Sequence, residues 1–220
     1  MRKQSLFLVA IFSLFVAIEG HAIVEWEAFG PTTIVRGKGA PVKKKFTFSA
    51  LGGQAIIKLT NTKVSCARAT FNGEVVFGPS DFNQNISYLE RGIVLIKGKN
   101  TLEITLTSKP GGELTIGIIQ EVAEITPEIV LVRTANCLRA GDIQSAAESF
   151  TRSSKDDVLM NLDSDGQSLL ADWLENAMPI REKENYRAYR TEWIDEEEKN
   201  HNIEFIMVKD EAGKWEIISW

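Results

Sequence analysis

The sequence predicts two domains: an antiparallel β-sandwich over residues 23–122, then a small α+β domain over 123–220 in which helices precede a curved antiparallel sheet. Three observations predict it. Between Thr32 and Gln120 short runs of period 2 are separated by Gly, Pro and Asn clusters, with no helical periodicity. At Thr126-Pro127-Glu128 the signals become those of a helix start, and beyond Pro179 the period returns to 2. The halves also differ in charge. Residues 23–120 carry 12 basic against 7 acidic side chains, and residues 121–220 carry 11 against 22. Opposite signs on two halves let them attract each other, or let the basic one meet an anionic surface, although solvated surface explains them too.

Residues 1–22 read as a secretory signal peptide cleaved after Ala22. Positive charge at Arg2 and Lys3 precedes an apolar run from Leu6 to Ile18 and small residues at Gly20 and Ala22. The run is about 13 residues against the roughly 20 a spanning helix needs, so the mature chain is expected to have no transmembrane segment and to be periplasmic or extracellular. An uncleaved anchor is the alternative. Lys43, Lys44 and Lys45 form the densest basic spot, but they lack interleaved aromatics, so nucleic acid is not an expected partner.

In the first half, Leu102, Ile104 and Leu106 alternate with Thr101, Glu103, Thr105 and Thr107, giving one apolar face and one wet face. Asn72-Gly73 is the signal of a two-residue hairpin, since a type I′ turn needs positive φ at both positions. Lys109-Pro110-Gly111-Gly112 turns the chain into a last strand near Leu114 to Ile119. Seven to nine such strands in about 90 residues call for two packed sheets, because one sheet of that size leaves an apolar face in water. The stretches Phe71-Asn72-Gly73, Gly78-Pro79-Ser80-Asp81-Phe82-Asn83-Gln84-Asn85, Gly98-Lys99-Asn100-Thr101-Leu102 and Ser108-Lys109-Pro110-Gly111-Gly112 follow in order. Over Gly37 to Gln120 this half resembles a β-sandwich module of bacterial surface and secreted proteins, similar in layout to jelly-roll carbohydrate-binding domains. The resemblance implies adhesion or structural spacing, with a glycan or envelope component as partner and no catalytic role. Asp81 and Asn83 are loop-contact candidates as oxygen donors, or turn residues that cap their own backbone. Asn85-Ile86-Ser87 is a glycosylation sequon in a host that modifies such sites.

In the second half Thr126 serves as N-cap, Pro127 stands at the first helical position and Glu128 at the positive end of the dipole, with the helix running to about Arg139. Gly141 ends it and Asp142 caps a second helix carrying Ile143, Ala146, Ala147 and Phe150 inward. A further helical piece lies between Ser168 and Ala177. Tyr186 to Trp193, Ile203 to Lys209 and Trp215 to Trp220 alternate as three strands. Leu138-Arg139-Ala140-Gly141-Asp142, Asn185-Tyr186-Arg187-Ala188-Tyr189-Arg190 and the closing Val208-Lys209-Asp210 with Gly213-Lys214-Trp215-Glu216-Ile217-Ile218 resemble the NTF2-like, or SnoaL-like, cone fold over Ile125 to Trp220. That resemblance implies either an enzyme with an acid or base in a pocket, or a noncatalytic module for small molecules or assembly.

Catalysis finds little support. Of two histidines, His21 leaves with the signal peptide and His201 is placed in a charged loop, so none is expected to reach a cavity as general base. No catalytic residue and no cofactor is assigned. Trp173, Tyr189, Trp193 and Trp215 are the ligand-pocket candidates, with core packing as the competing use. Asn161, Asp163, Asp165, Gly166 and Asp172 match EF-hand positions, but Ser168 takes the apolar position and Asp172 replaces the usual Glu, leaving Asp163 and Asp165 as a weak calcium candidate against a helix-capping turn. Cys66 and Cys137 are able to pair in an oxidising compartment, or to lie buried as two small thiols. The reading that follows is an exported noncatalytic binding or assembly protein, its sandwich engaging a glycan or surface component and its acidic domain docking a partner. The alternative is a small-molecule carrier or enzyme with its pocket in the C-terminal cone.

Overall fold

The computed structural model describes residues 23–194 and 198–219. The proposed signal peptide and Trp220 lie outside them. Six strands build the first half: β1 Val24–Val35, β2 Val42–Thr62, β3 Ala67–Phe71, β4 Glu74–Phe77, β5 Tyr88–Leu106 and β6 Glu113–Val122. All are antiparallel to their neighbours, in the order β1-β6-β2-β5-β3-β4. Six strands suffice because β2 and β5 are 21 and 19 residues long, and each serves twice. Their outer halves, from Val42 to Leu51 and Lys97 to Leu106, pair with each other, and that of β5 pairs on its other side with β3, which carries β4. Their inner halves, from Gly53 to Thr60 and Tyr88 to Leu95, also pair with each other, and β2 from Ile56 onward pairs on its other side with β6, which carries β1.

Between those halves the strands turn a corner. Gly52, Gly53 and Gly98 take φ of 90°, 111° and 86°. The buried apolar positions of β2 change from even (Phe48, Ala50) to odd (Ala55, Ile57, Leu59), and those of β5 from odd (Ile93, Leu95) to even (Leu102, Ile104, Leu106). Main-chain groups that leave the ladder there are taken up by buried amides. Asn100 accepts from Ile96 N–H at 3.0 Å and donates to the Ile96 and Gly98 carbonyls at 2.9 Å, while Gln120 donates to Gly52 C=O at 2.8 Å. The apolar faces on both sides of the corner share one core, from Trp26 and Ile34 through Ile57 and Leu59 to Phe71, Phe77 and Ile118. The sandwich is thus a single hydrogen-bonded sheet folded over itself.

The second half begins with α1 Pro127–Arg139, capped by the Thr126 side chain as expected, then α2 Ile143–Ala147 capped by Asp142, α3 Arg152–Asn161 and α4 Ser164–Glu175. Four antiparallel strands follow, β7 Met178–Lys183, β8 Tyr186–Ile194, β9 Asn200–Lys209 and β10 Trp215–Ser219, in the order β10-β9-β8-β7. One face of this sheet, with Tyr189, Phe205, Met207, Trp215 and Ile217, packs against Val130, Leu131, Ala135, Leu138, Leu170 and Leu174 of the helices. Beside β10, Ser149 to Thr151 add a short parallel bridge at Ile217.

The structure departs from the sequence expectations in specific places. Asn72 and Gly73 take φ of 48° and 90° and join β3 to β4 as predicted. The expected seven to nine strands are six, because β2 and β5 resume the same register on the far side of the corner and so each run on as one strand. The helical piece expected from Ser168 starts one turn earlier, at Ser164. Three strands become four: β7, exposed along its whole length, has no alternation for a sequence to display. His201 stands in β9 opposite Trp193 and not in a loop.

Candidate functional site

The two halves meet where α1 crosses the end of β2's outer half. Ser49 N–H donates to Asn136 Oδ1, and Asn136 Nδ2 donates back to the Ser49 carbonyl, both at 2.9 Å. One carboxamide thereby fills the donor and acceptor positions of a neighbouring strand. Around it, Ser49 Oγ donates to Glu175, and Arg139 bonds Ser49, Asp172 and Glu175, so the buried serine is tied to both α1 and α4.

Beside this junction lies a groove of about 970 Å³. Its walls are Val24 to Thr32 of β1, Lys45 to Phe48 of β2, and residues of α1 and α2 that include Arg133, Asn136, Cys137, Asp142 and Ser145. Consecutive residues of both strands line it, as expected where a strand presents its edge and not one face. Among the described residues β1 is the terminal strand of its sheet, and β2 has no strand partner on the side away from β5 before Ile56. The groove is thus the open edge of the folded sheet, roofed by helices. Half-buried Phe29 stacks obliquely on Phe46 and Phe48, with ring centroids 5.3 and 5.0 Å apart. The indole N–H of Trp26 and the Oε1 of its cross-strand partner Gln120 are buried without a hydrogen-bond partner.

The four aromatic pocket candidates do not converge. Tyr189 and Trp215 are buried in the core, Tyr189 stacked on Phe205 at 5.5 Å and 12°. Trp173 and Trp193 form a half-buried edge-to-face pair at 6.1 Å, and Trp193 extends the contact to His201 at 5.0 Å. None of the four lines the groove. Residue type alone marks them for a pocket, whereas Tyr189 and Trp215 fill the core and Trp173 and Trp193 pack on each other.

Asp81 accepts from Gly78 N–H at 2.7 Å and faces Arg91 at 3.4 Å, while Asn83 Oδ1 accepts from Asn85 N–H at 3.0 Å, so both spend their side chains on their own loop. Asp163 caps α4 by accepting from Gly166 N–H at 2.8 Å. Because residues 164–175 are helical, Asp165 and Asp172 lie along a helix and not around a twelve-residue loop. Among the described residues no group of three or more His, Cys, Asp or Glu side chains is placed to hold a metal ion. Cys66 and Cys137 are both free. Ala67 and Val42 both oppose Leu106, whereas Asn136 binds Ser49, so the thiols lie roughly 20 Å apart along β2 at about 3.3 Å per residue. A disulfide needs Cα atoms within about 7 Å. Burial pushes the Cys137 thiol up, which keeps it protonated.

In the second half a buried phenol meets a half-buried carboxylate. Tyr189 donates to Glu128 at 2.6 Å, beneath the first turn of α1. Burial pushes the Glu128 carboxyl up, but hydrogen bonds from Tyr189, the backbone and Thr126, with the charge of Arg187, outweigh it and hold the group below its ordinary range. Burial first, then the carboxylate, push the Tyr189 phenol far upward.

No family model matches the chain, and no curated protein matches it. Among solved structures it is similar to a Podospora anserina GH26-CBM35 β-(1,4)-mannanase, at 16% identity and a TM-score of 0.30, with 49% of this chain and 29% of the mannanase covered. A family 35 carbohydrate-binding module from Clostridium thermocellum gives 18% identity and 0.26, covering 44% of this chain and 97% of the module. The CBM36-1 domain of a xylanase from the hindgut metagenome of Trinervitermes trinervoides gives 14% and 0.27, covering 48% and 100%. The chain spans less than a third of the mannanase. TM-scores of this size do not establish a shared fold, and the folded sheet described above rests on its own register and core. No helix among the described residues is long and apolar enough to cross a membrane.

Proposed function

We propose that the chain is an exported, noncatalytic binding or assembly protein that engages an envelope component in the groove between its folded sheet and its helices. The groove carries the reading. It combines half-buried rings (Phe29, Phe46), side-chain donors (Lys45, Thr47, Arg133) and open strand edges, which suit a polymer that lies along the surface. Carbohydrate is bound or cleaved by proteins of the kinds named among the matched structures; for this chain a glycan is a proposal resting on the groove's rings and donors. The alternative of a carrier or enzyme seated in an NTF2-like cone asks for open space between helices and the second sheet, where Tyr189, Phe205, Met207, Trp215 and Ile217 pack.

The test uses the chain from Ile23 onward against immobilised oligosaccharides and envelope fragments. Wild type is expected to bind, and Thr47→Arg, which fills the groove, and Arg133→Glu, which reverses a charge on its wall, are expected to bind at least tenfold more weakly. Wild-type binding that both variants retain removes the groove; binding to nothing removes the reading.

A further inference from the structure

The geometry points to a protein segment as the groove's occupant: an extended strand, alternating acidic and apolar residues, that adds to the open edge of β2. This rests on the groove being the binding face. In an antiparallel strand both main-chain groups of a residue point to the same side, and the side alternates with each residue. Ser49 directs its N–H and C=O to Asn136, away from β5. By that period Thr47, Lys45 and Lys43 also direct theirs away from β5, and beyond Asn136 no strand among the described residues covers them. The Asn136 carboxamide thus occupies the first rung of a ladder whose next rungs are vacant.

The two edges in the groove are not equivalent. β1 is interrupted by register shifts at Glu27/Phe29 and Phe29/Thr32 and carries Pro31, features that block strand addition. β2 keeps unbroken register with β5 from Val42 to Leu51 and has no proline there. Side chains directly opposite share a face. A residue opposite Lys45 therefore sits beside an exposed cation whose neighbour on β5, Glu103, is bridged to Lys43, and a residue opposite Phe46 meets the half-buried ring. Lysines on an edge repel strands of general sequence, so they select a carboxylate-bearing one. Arg133 on the facing wall adds to that selection, while Lys43 is already paired with Glu103 at 2.9 Å and Glu27 borders the groove from β1.

Titration of the chain from Ile23 onward with a seven-residue peptide alternating Glu and Val tests this. The controls are the same composition in block order, the alternating peptide N-methylated on every second amide in either phase, and an oligosaccharide set. The alternating peptide is expected to bind, with about a tenfold loss on N-methylation in one phase only, a comparable loss with Lys45→Glu, and weakening by salt. Equal binding of the N-methylated forms or of the block peptide overturns strand addition. Oligosaccharide binding without peptide binding overturns the inference and leaves the groove reading in place; binding of neither overturns both.

Discussion

Replacing Tyr189 with Phe removes one hydroxyl and leaves Glu128, half-buried on the first turn of α1, short of a donor. A cost of about 1–3 kcal/mol is expected at neutral pH. Its pH dependence follows from the two directions of shift. Glu128 is held low in the folded chain, so its contribution is present above the ordinary carboxyl range and is lost as pH falls through the folded value. Tyr189 is held high, so its contribution is present below about 10, the ordinary phenol value, and is lost as pH rises beyond it. Urea unfolding of both proteins at several pH values should show the gap widest between about pH 6 and 9 and narrower at either extreme; a gap constant with pH would contradict the pair. The sequence marks Glu128 as a dipole partner and Tyr189 as a pocket candidate with core packing as the competing use. Their meeting depends on how α1 lies across the second sheet, which no local pattern specifies.

Local chemistry made some elements legible and left others hidden. Thr126-Pro127 and Asn72-Gly73 each carry their own geometric demand, and both form as written. α3 buries only Ser154 and Val158, and β7 buries nothing, so neither leaves a periodic trace. The corner in β2 and β5 does leave one, in the change of apolar parity on either side of Gly52-Gly53 and Gly98. Gly52→Ala tests it: the residue has φ of 90°, and an added Cβ would stand 3.2 Å from Lys97 N. Gly39, at φ of 95° with nothing within 4 Å, is the control. A loss of about 1 kcal/mol is expected for Gly39→Ala from backbone conformation alone. Gly52→Ala should lower stability by about 2–3 kcal/mol, because crowding adds to the same penalty. Equal losses in thermal melts would mean the corner has room to spare.

At the scale of the whole molecule, the junction decides whether the halves act as one body. Asn136→Ala strips the buried Ser49 of both main-chain partners at the partly buried junction, at an expected cost of about 1–3 kcal/mol. Calorimetry should show one unfolding transition for wild type and a broadened or divided one for Asn136→Ala combined with Arg139→Ala. A single sharp transition in the double variant would show that apolar contact alone joins the halves. This scale was the least legible in the sequence: the groove combines residues 24–32 with residues 133–145, and the opposite charges of the halves signalled attraction without naming Ser49 or Asn136 as the place of contact.

The folded sheet also governs how the first half comes apart. Because β2 and β5 each run through both layers, neither layer has a boundary at which it could detach while the other persists. Amide hydrogens before and after the corner should therefore exchange with solvent as one slow class, leaving β1 and β4, which each hold a single neighbour, to open first.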